Sequence, residues 1–118
     1  MKVLMVSIVA MMFAVFHPED KLTGRWETKP SDKGTVMGLL FKSDSNFEGY
    51  INKKPFVSGT YTYKDDTFTF VDNGCDGMKG VYKIEFFSNV DSLRFKPIAD
   101  SCDKRRERMI RLVMGKVK

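Results

Sequence analysis

Few side chains in this sequence are equipped for chemistry, and most of them cluster around two cysteines. Cys75 and Cys102 are the only cysteines in the 118 residues, and both lie in loop-like segments. In an oxidising compartment such an even pair reads as one disulfide, whereas in a reducing one it reads as two free thiols. Closing that loop would contribute roughly 3–4 kcal/mol on the chain-entropy account. Two cysteines without a clustered histidine give no zinc site. Asp72, Asp76, Asp100 and Asp103 flank the pair, and carboxylates of this kind suit hard cations. Their spacing matches no calcium loop, and aspartate is common in turns for local hydrogen-bonding reasons. Lys104 and Arg105 are at hand to neutralise them, so no metal site is expected. The single histidine, His17, stands near the N-terminus. With no G-x-S-x-G, phosphate loop or metal triad, histidine-assisted nucleophilic catalysis is not expected, and no carboxylate pair stands out for acid–base work. No cofactor motif is present, and the chain does not read as an enzyme.

The elements that would position these groups begin after a leader. Lys2 is followed by an almost unbroken apolar run from Val3 to Phe16, ended by His17-Pro18-Glu19-Asp20. The run is too short for a bilayer span, which needs about 20 residues, and matches the apolar region of a secretory signal peptide. The reading is therefore a signal peptide over 1–16 and one domain over 17–118, secreted or periplasmic, without a stable membrane anchor. The formal charge of +5 is concentrated in the tail: Lys104, Arg105, Arg106, Arg108, Arg111, Lys116 and Lys118. Such a tail suits an anionic surface or nucleic acid, or simply forms a solvated outer face. Export argues against nucleic acid, and the solvated face is the favoured reading.

Beyond the leader, short runs with period-2 alternation are separated by turn residues, the pattern of an all-β barrel or sandwich. Eight strands are predicted: Gly24–Thr28, Thr35–Lys42, Asn46–Lys53, Val57–Lys64, Thr67–Val71, Gly80–Ser88, Ser92–Lys96 and Arg106–Val113. Alternation sets Trp26, Phe47, Ile51, Tyr61, Tyr63, Phe68, Phe70, Tyr82, Ile84, Phe86, Leu93, Phe95, Ile110 and Leu112 on the inner face. Gly38, Gly49 and Gly59 inside strands suit the bends or bulges that closure requires. Short connections make neighbours antiparallel, which gives an eight-stranded antiparallel up-and-down barrel. In such a meander the loops after strands five and seven share one end. Cys75 and Cys102 lie in those two loops, so strand count and disulfide support each other.

Leu22-Thr23-Gly24-Arg25-Trp26 resembles the G-x-W start of the first strand in lipocalins and their wider calycin relatives. The resemblance implies that Gly24 and Trp26 are structural, with Trp26 closing the base of the barrel. It also implies that a basic residue of the last strand, Arg108 or Arg111, packs across that indole. Gly80-Val81-Tyr82 and Asp100-Ser101-Cys102 are similar to stretches of short bacterial lipocalin-like domains. The chain departs from typical lipocalins in its shortness, which leaves no room for the usual C-terminal helix. It also lacks their Thr-Asp-Tyr in the turn Ser88–Asp91.

The functional expectation is a lipocalin-like binding protein. A small apolar or amphipathic molecule would lie between Tyr61, Tyr63, Phe68, Phe70, Tyr82, Phe86 and Phe95. Eight strands enclose a space just wide enough for side chains or one small ligand, so the same rings could instead fill the core. The alternative is then a filled barrel acting on a protein partner through its loops or the arm Pro18 to Lys21, as small secreted protease inhibitors or envelope interaction modules do.

Overall fold

A computed structural model describes residues 21–118 of the chain. The predicted signal segment, 1–16, lies outside the described residues, as does most of the arm that follows it. Eight strands run in order: β1 (Gly24–Thr28), β2 (Met37–Phe41), β3 (Asn46–Ile51), β4 (Lys54–Lys64), β5 (Thr67–Asp72), β6 (Gly80–Phe87), β7 (Ser92–Asp100) and β8 (Val113–Lys116). Each pairs antiparallel with its neighbours in sequence, and β8 closes on β1, so the sheet is the predicted up-and-down barrel. Two-residue turns set several registers. Asn52 and Lys53, and Asp65 and Asp66, all hold positive φ, the geometry whose twist matches paired strands.

The interior glycines make room rather than merely bend. A Cβ on Gly38 would lie 2.0 Å from the Tyr50 ring, and one on Gly59 would lie 1.9 Å from the Val71 carbonyl. The ladder slips between Gly49 and Tyr50, and again between Val81 and Tyr82, which curves the sheet where closure demands it.

The C-terminal region differs from the sequence reading. Asp103–Met109 is a helix, α1, and the last strand begins only at Val113. Long straight-chain residues favour helix. Asp103 in the first turn and Arg106 and Arg108 in the last complement the helix dipole. A strand reading would set Arg106, Arg108, Ile110 and Leu112 on one face. The helix instead buries Arg105 and Met109, four residues apart, and leaves Ile110 52% exposed. Strand β7 also runs further than predicted, so Asp100 ends a strand instead of opening a loop.

The odd-numbered loops gather at one end of the barrel. Cys75, after β5, and Cys102, after β7, are joined there with their Cα atoms 6.1 Å apart. A formed disulfide is the mark of an oxidising compartment. No helix among the described residues is long and apolar enough to cross a membrane.

The opposite end is closed by Leu22 and Trp26, both fully buried. The indole Nε1 donates to the Leu22 carbonyl at 2.8 Å. The cation over the indole is neither Arg108 nor Arg111 but Lys116, whose Nζ lies 5.0 Å from the ring centroid and donates to the Thr23 carbonyl at 2.6 Å. Because the last strand starts later than predicted, Lys116 is the residue paired with Trp26 across the β1–β8 ladder. Gly24 has a φ of +127°, and a side chain there would meet the Lys116 ammonium group. Arg108 stands instead over Phe56, 4.9 Å from its centroid, and Arg111 is exposed.

Candidate functional site

The barrel interior is packed with rings and opens at one end. Trp26, Tyr63, Tyr82, Ile84, Leu93 and Phe95 form part of one continuous core that also takes in the cavity-facing Phe41, Phe68 and Phe70. Three tyrosine hydroxyls in this packing are already bonded: Tyr61 donates to the Lys42 carbonyl at 2.7 Å, Tyr63 to Asp66 at 3.0 Å, and Tyr82 to Asp100. Bonding of this kind is what allows phenols to be buried. Phe86 packs against Trp26 and Tyr63, with centroids 6.0 and 6.3 Å away.

Towards the disulfide end the interior opens into a cavity of about 660 Å³. Its inner wall comes from β2 through Met37, Leu39 and Phe41, and from β5 through Phe68 and Phe70. These two rings stack with centroids 4.9 Å apart and form a flat aromatic panel. Val57 of β4 adds to the wall, Met109 of α1 and Leu112 form the roof, and Met114 of β8 completes it. Polar groups gather at the mouth, among them Asn73, Ser101, Asp103, Lys104 and Arg108. The lining is thus mainly apolar with a polar rim, the usual constitution of a small-molecule site.

Of the seven rings expected to hold a ligand, Phe68 and Phe70 line this cavity. Tyr61, Tyr63, Tyr82, Phe86 and Phe95 do not line it, and Tyr61, Tyr82 and Phe95 pack behind the rings that do. The β2 contribution carries a sequence signal, since Met37, Leu39 and Phe41 alternate. The roof carries only part of one for a strand reading: alternation sets Leu112 inwards, where the structure has it, but Met109 faces inwards only once α1 has formed.

The roof is locked by Arg105, which the sequence reading placed in a solvated tail while noting that it could neutralise the aspartates beside the cysteines. Its Nε and Nη2 both donate to the Asp100 carboxylate at 2.9 Å, and Nη2 also donates to the Met78 carbonyl at 3.0 Å. Nη1 stands 3.3 Å from an Asp72 oxygen, and the guanidinium lies 4.7 Å from the Phe70 centroid. The Asp100 side chain is fully buried, and those of Asp72 and Arg105 are each 7% exposed. Burial alone would raise the Asp100 carboxyl. Hydrogen bonds from Arg105, Tyr82 and the Cys102 amide overcome it and hold the carboxyl below its ordinary value. Burial, reinforced by the bond to Asp100, pushes the Tyr82 phenol up. Burial opposes the Arg105 charge, but the Asp100 bond outweighs it and the guanidinium is held more firmly protonated than usual. Two of the four aspartates around the cysteines are therefore engaged by one arginine, while Asp76 and Asp103 are exposed. Among the described residues no group of three or more histidine, cysteine, aspartate or glutamate side chains is placed to hold a metal ion.

The closed eight-stranded meander fits a calycin-like fold. No family model matches the chain, and a search of the curated proteins finds no relative.

Proposed function

We propose that this chain is an exported, lipocalin-like binding protein that holds one small apolar or amphipathic molecule beneath α1. The observation that carries the reading is the cavity of about 660 Å³. It falls within the range of about 300–1,000 Å³ occupied by small-molecule sites. Its wall is hydrocarbon, aromatic ring and thioether, which favours an apolar body. Its rim of amide, hydroxyl and charged groups favours a polar head left near water. Binding rather than catalysis follows from the same lining, since the buried carboxylates beside the cavity, Asp72 and Asp100, are tied to Arg105. The disulfide supports a secreted or periplasmic setting. A filled barrel acting on a protein partner would need a packed interior, which the cavity disfavours.

Titration with the uncharged fluorophore N-phenyl-1-naphthylamine tests the proposal. Saturable enhancement is expected, together with at least an order-of-magnitude weakening by Leu39→Trp, which sets an indole into the cavity. Circular dichroism of the variant should match that of the parent. Absence of saturable enhancement, or indifference to Leu39→Trp, would reject the reading.

A further inference from the structure

The two ends of the barrel differ in a way the cavity does not require. Of the eight exposed large apolar side chains among the described residues, five lie at or towards the cavity end: Phe56, Met78, Ile98, Ile110 and Val113. Phe56 and Met78 stand on the rim itself, 48% and 40% exposed. Isolated apolar residues on a surface need no explanation. Here, however, they gather around an opening that is itself apolar.

Charge divides along the same axis. The loops and helix at the cavity end expose Lys53, Lys54, Lys79, Lys104, Arg108 and Arg111. Carboxylates at that end are fewer or already engaged. Asp103 pairs with Arg106 at 3.1 Å, and Asp72 and Asp100 are turned inwards onto Arg105, which leaves Asp76 and Glu107 as the exposed acids nearest the rim. The β1–β2 loop adds Lys29 and Lys33 against Asp32. The loops of the closed end carry Asp44, Asp65, Asp66 and Asp91, and these are offset by Lys21, Lys42, Lys64 and Lys118 around the same end. The barrel therefore has a net basic, apolar-studded end around its opening and an opposite end whose charges nearly balance.

We propose that the cavity end docks on the surface of an anionic lipid bilayer. Lysines and arginines near such a surface are attracted by its negative potential, each by a comparable increment that fades within a Debye length. Exposed Phe56 and Met78 would enter the headgroup boundary, as apolar side chains do at interfaces. The Arg108 guanidinium over Phe56 combines both contacts at one point. A soluble acidic protein would satisfy the charges but would not explain why the apolar side chains surround the opening. The inference extends the ligand reading, because docking in this orientation lets an apolar molecule pass between bilayer and cavity without crossing water.

Co-sedimentation of the full chain with vesicles provides the test. Equimolar phosphatidylglycerol and phosphatidylcholine are compared with phosphatidylcholine alone, at low and high salt. Binding to the anionic vesicles that falls with salt is expected. Joint replacement Lys53→Glu with Lys54→Glu should weaken it by about tenfold or more, and Phe56→Asp should weaken it further. The same charge change at the closed end, Lys64→Glu with Lys118→Glu, should have a much smaller effect. Absence of binding to anionic vesicles overturns the proposal. So does binding unmoved by the Lys53 and Lys54 changes, which would assign it to the apolar N-terminal run or another face. Thermal unfolding of each variant separates lost docking from lost fold. The naphthylamine titration, made without vesicles, shows independently whether the ligand reading itself stands.

Discussion

Replacing Arg105 by methionine should invert the response of the fold to pH. In the native chain the guanidinium makes two bonds of 2.9 Å to a fully buried carboxylate and faces a second carboxylate at 3.3 Å. Arg105→Met keeps much of the side-chain bulk but leaves Asp100 and Asp72 without their cation. Breaking a buried pair on one side typically costs about 3–5 kcal/mol, a large part of the roughly 5–15 kcal/mol that stabilises a domain. Urea unfolding followed by Trp26, the only tryptophan and fully buried, measures the loss directly. With a urea slope of about 1–3 kcal/mol per molar for small domains, the midpoint should fall by more than about 1 M. The pH profile adds a second sign. Native Asp100 titrates below its ordinary 3.8, so its contribution is complete above that value and is lost as pH falls through the lower folded value. In Arg105→Met, burial without a cation raises the Asp100 carboxyl. The variant should then lose stability as pH rises from about 4 towards neutrality, the opposite slope. Adding Asp72→Asn and Asp100→Asn should recover most of the loss, because the uncompensated charges are gone. A single variant within about 1 kcal/mol of the parent, with a parallel pH profile, would refute the view that Arg105 locks the roof.

Three further outcomes follow from individual contacts. Cys75→Ser with Cys102→Ser should cost roughly 3–4 kcal/mol by freeing a loop of 27-residue separation, and reductant should lower the melting temperature of the parent but not of the variant. Lys116→Met should cost about 1–2 kcal/mol through loss of the contact over Trp26 and the bond to the Thr23 carbonyl, with a shift in Trp26 emission as the local readout. Val90 holds a φ of +67° while 40% exposed, a conformation that strains a β-branched residue by about 1–2 kcal/mol. Val90→Gly should therefore raise the melting temperature despite the greater freedom of glycine in the unfolded chain.

Sequence alone determined the class of fold because the period-2 signal is local. Alternation along Tyr61, Tyr63 and along Phe68, Phe70 survives whatever the rest of the chain does. The turn residues Asp65 and Asp66 cut the strands at the observed place, whereas Asn52 and Lys53, read as the end of the third strand, form the turn into β4, which starts three residues earlier than predicted. The parity of the meander was enough to bring Cys75 and Cys102 to one end. Tertiary structure decided the rest. Whether the segment after Cys102 is strand or helix depends on what receives its side chains. Arg105 can be buried only where Asp72 and Asp100, distant in sequence, converge with the Met78 carbonyl. Once that helix forms, the last strand starts later, and Lys116 rather than Arg108 or Arg111 meets Trp26. The open end of the interior had the same origin. Period-2 alternation says that a ring points inwards, not whether neighbours reach it. All seven expected rings joined the core or packed against it, and only Phe68 and Phe70 also face the space left open under α1.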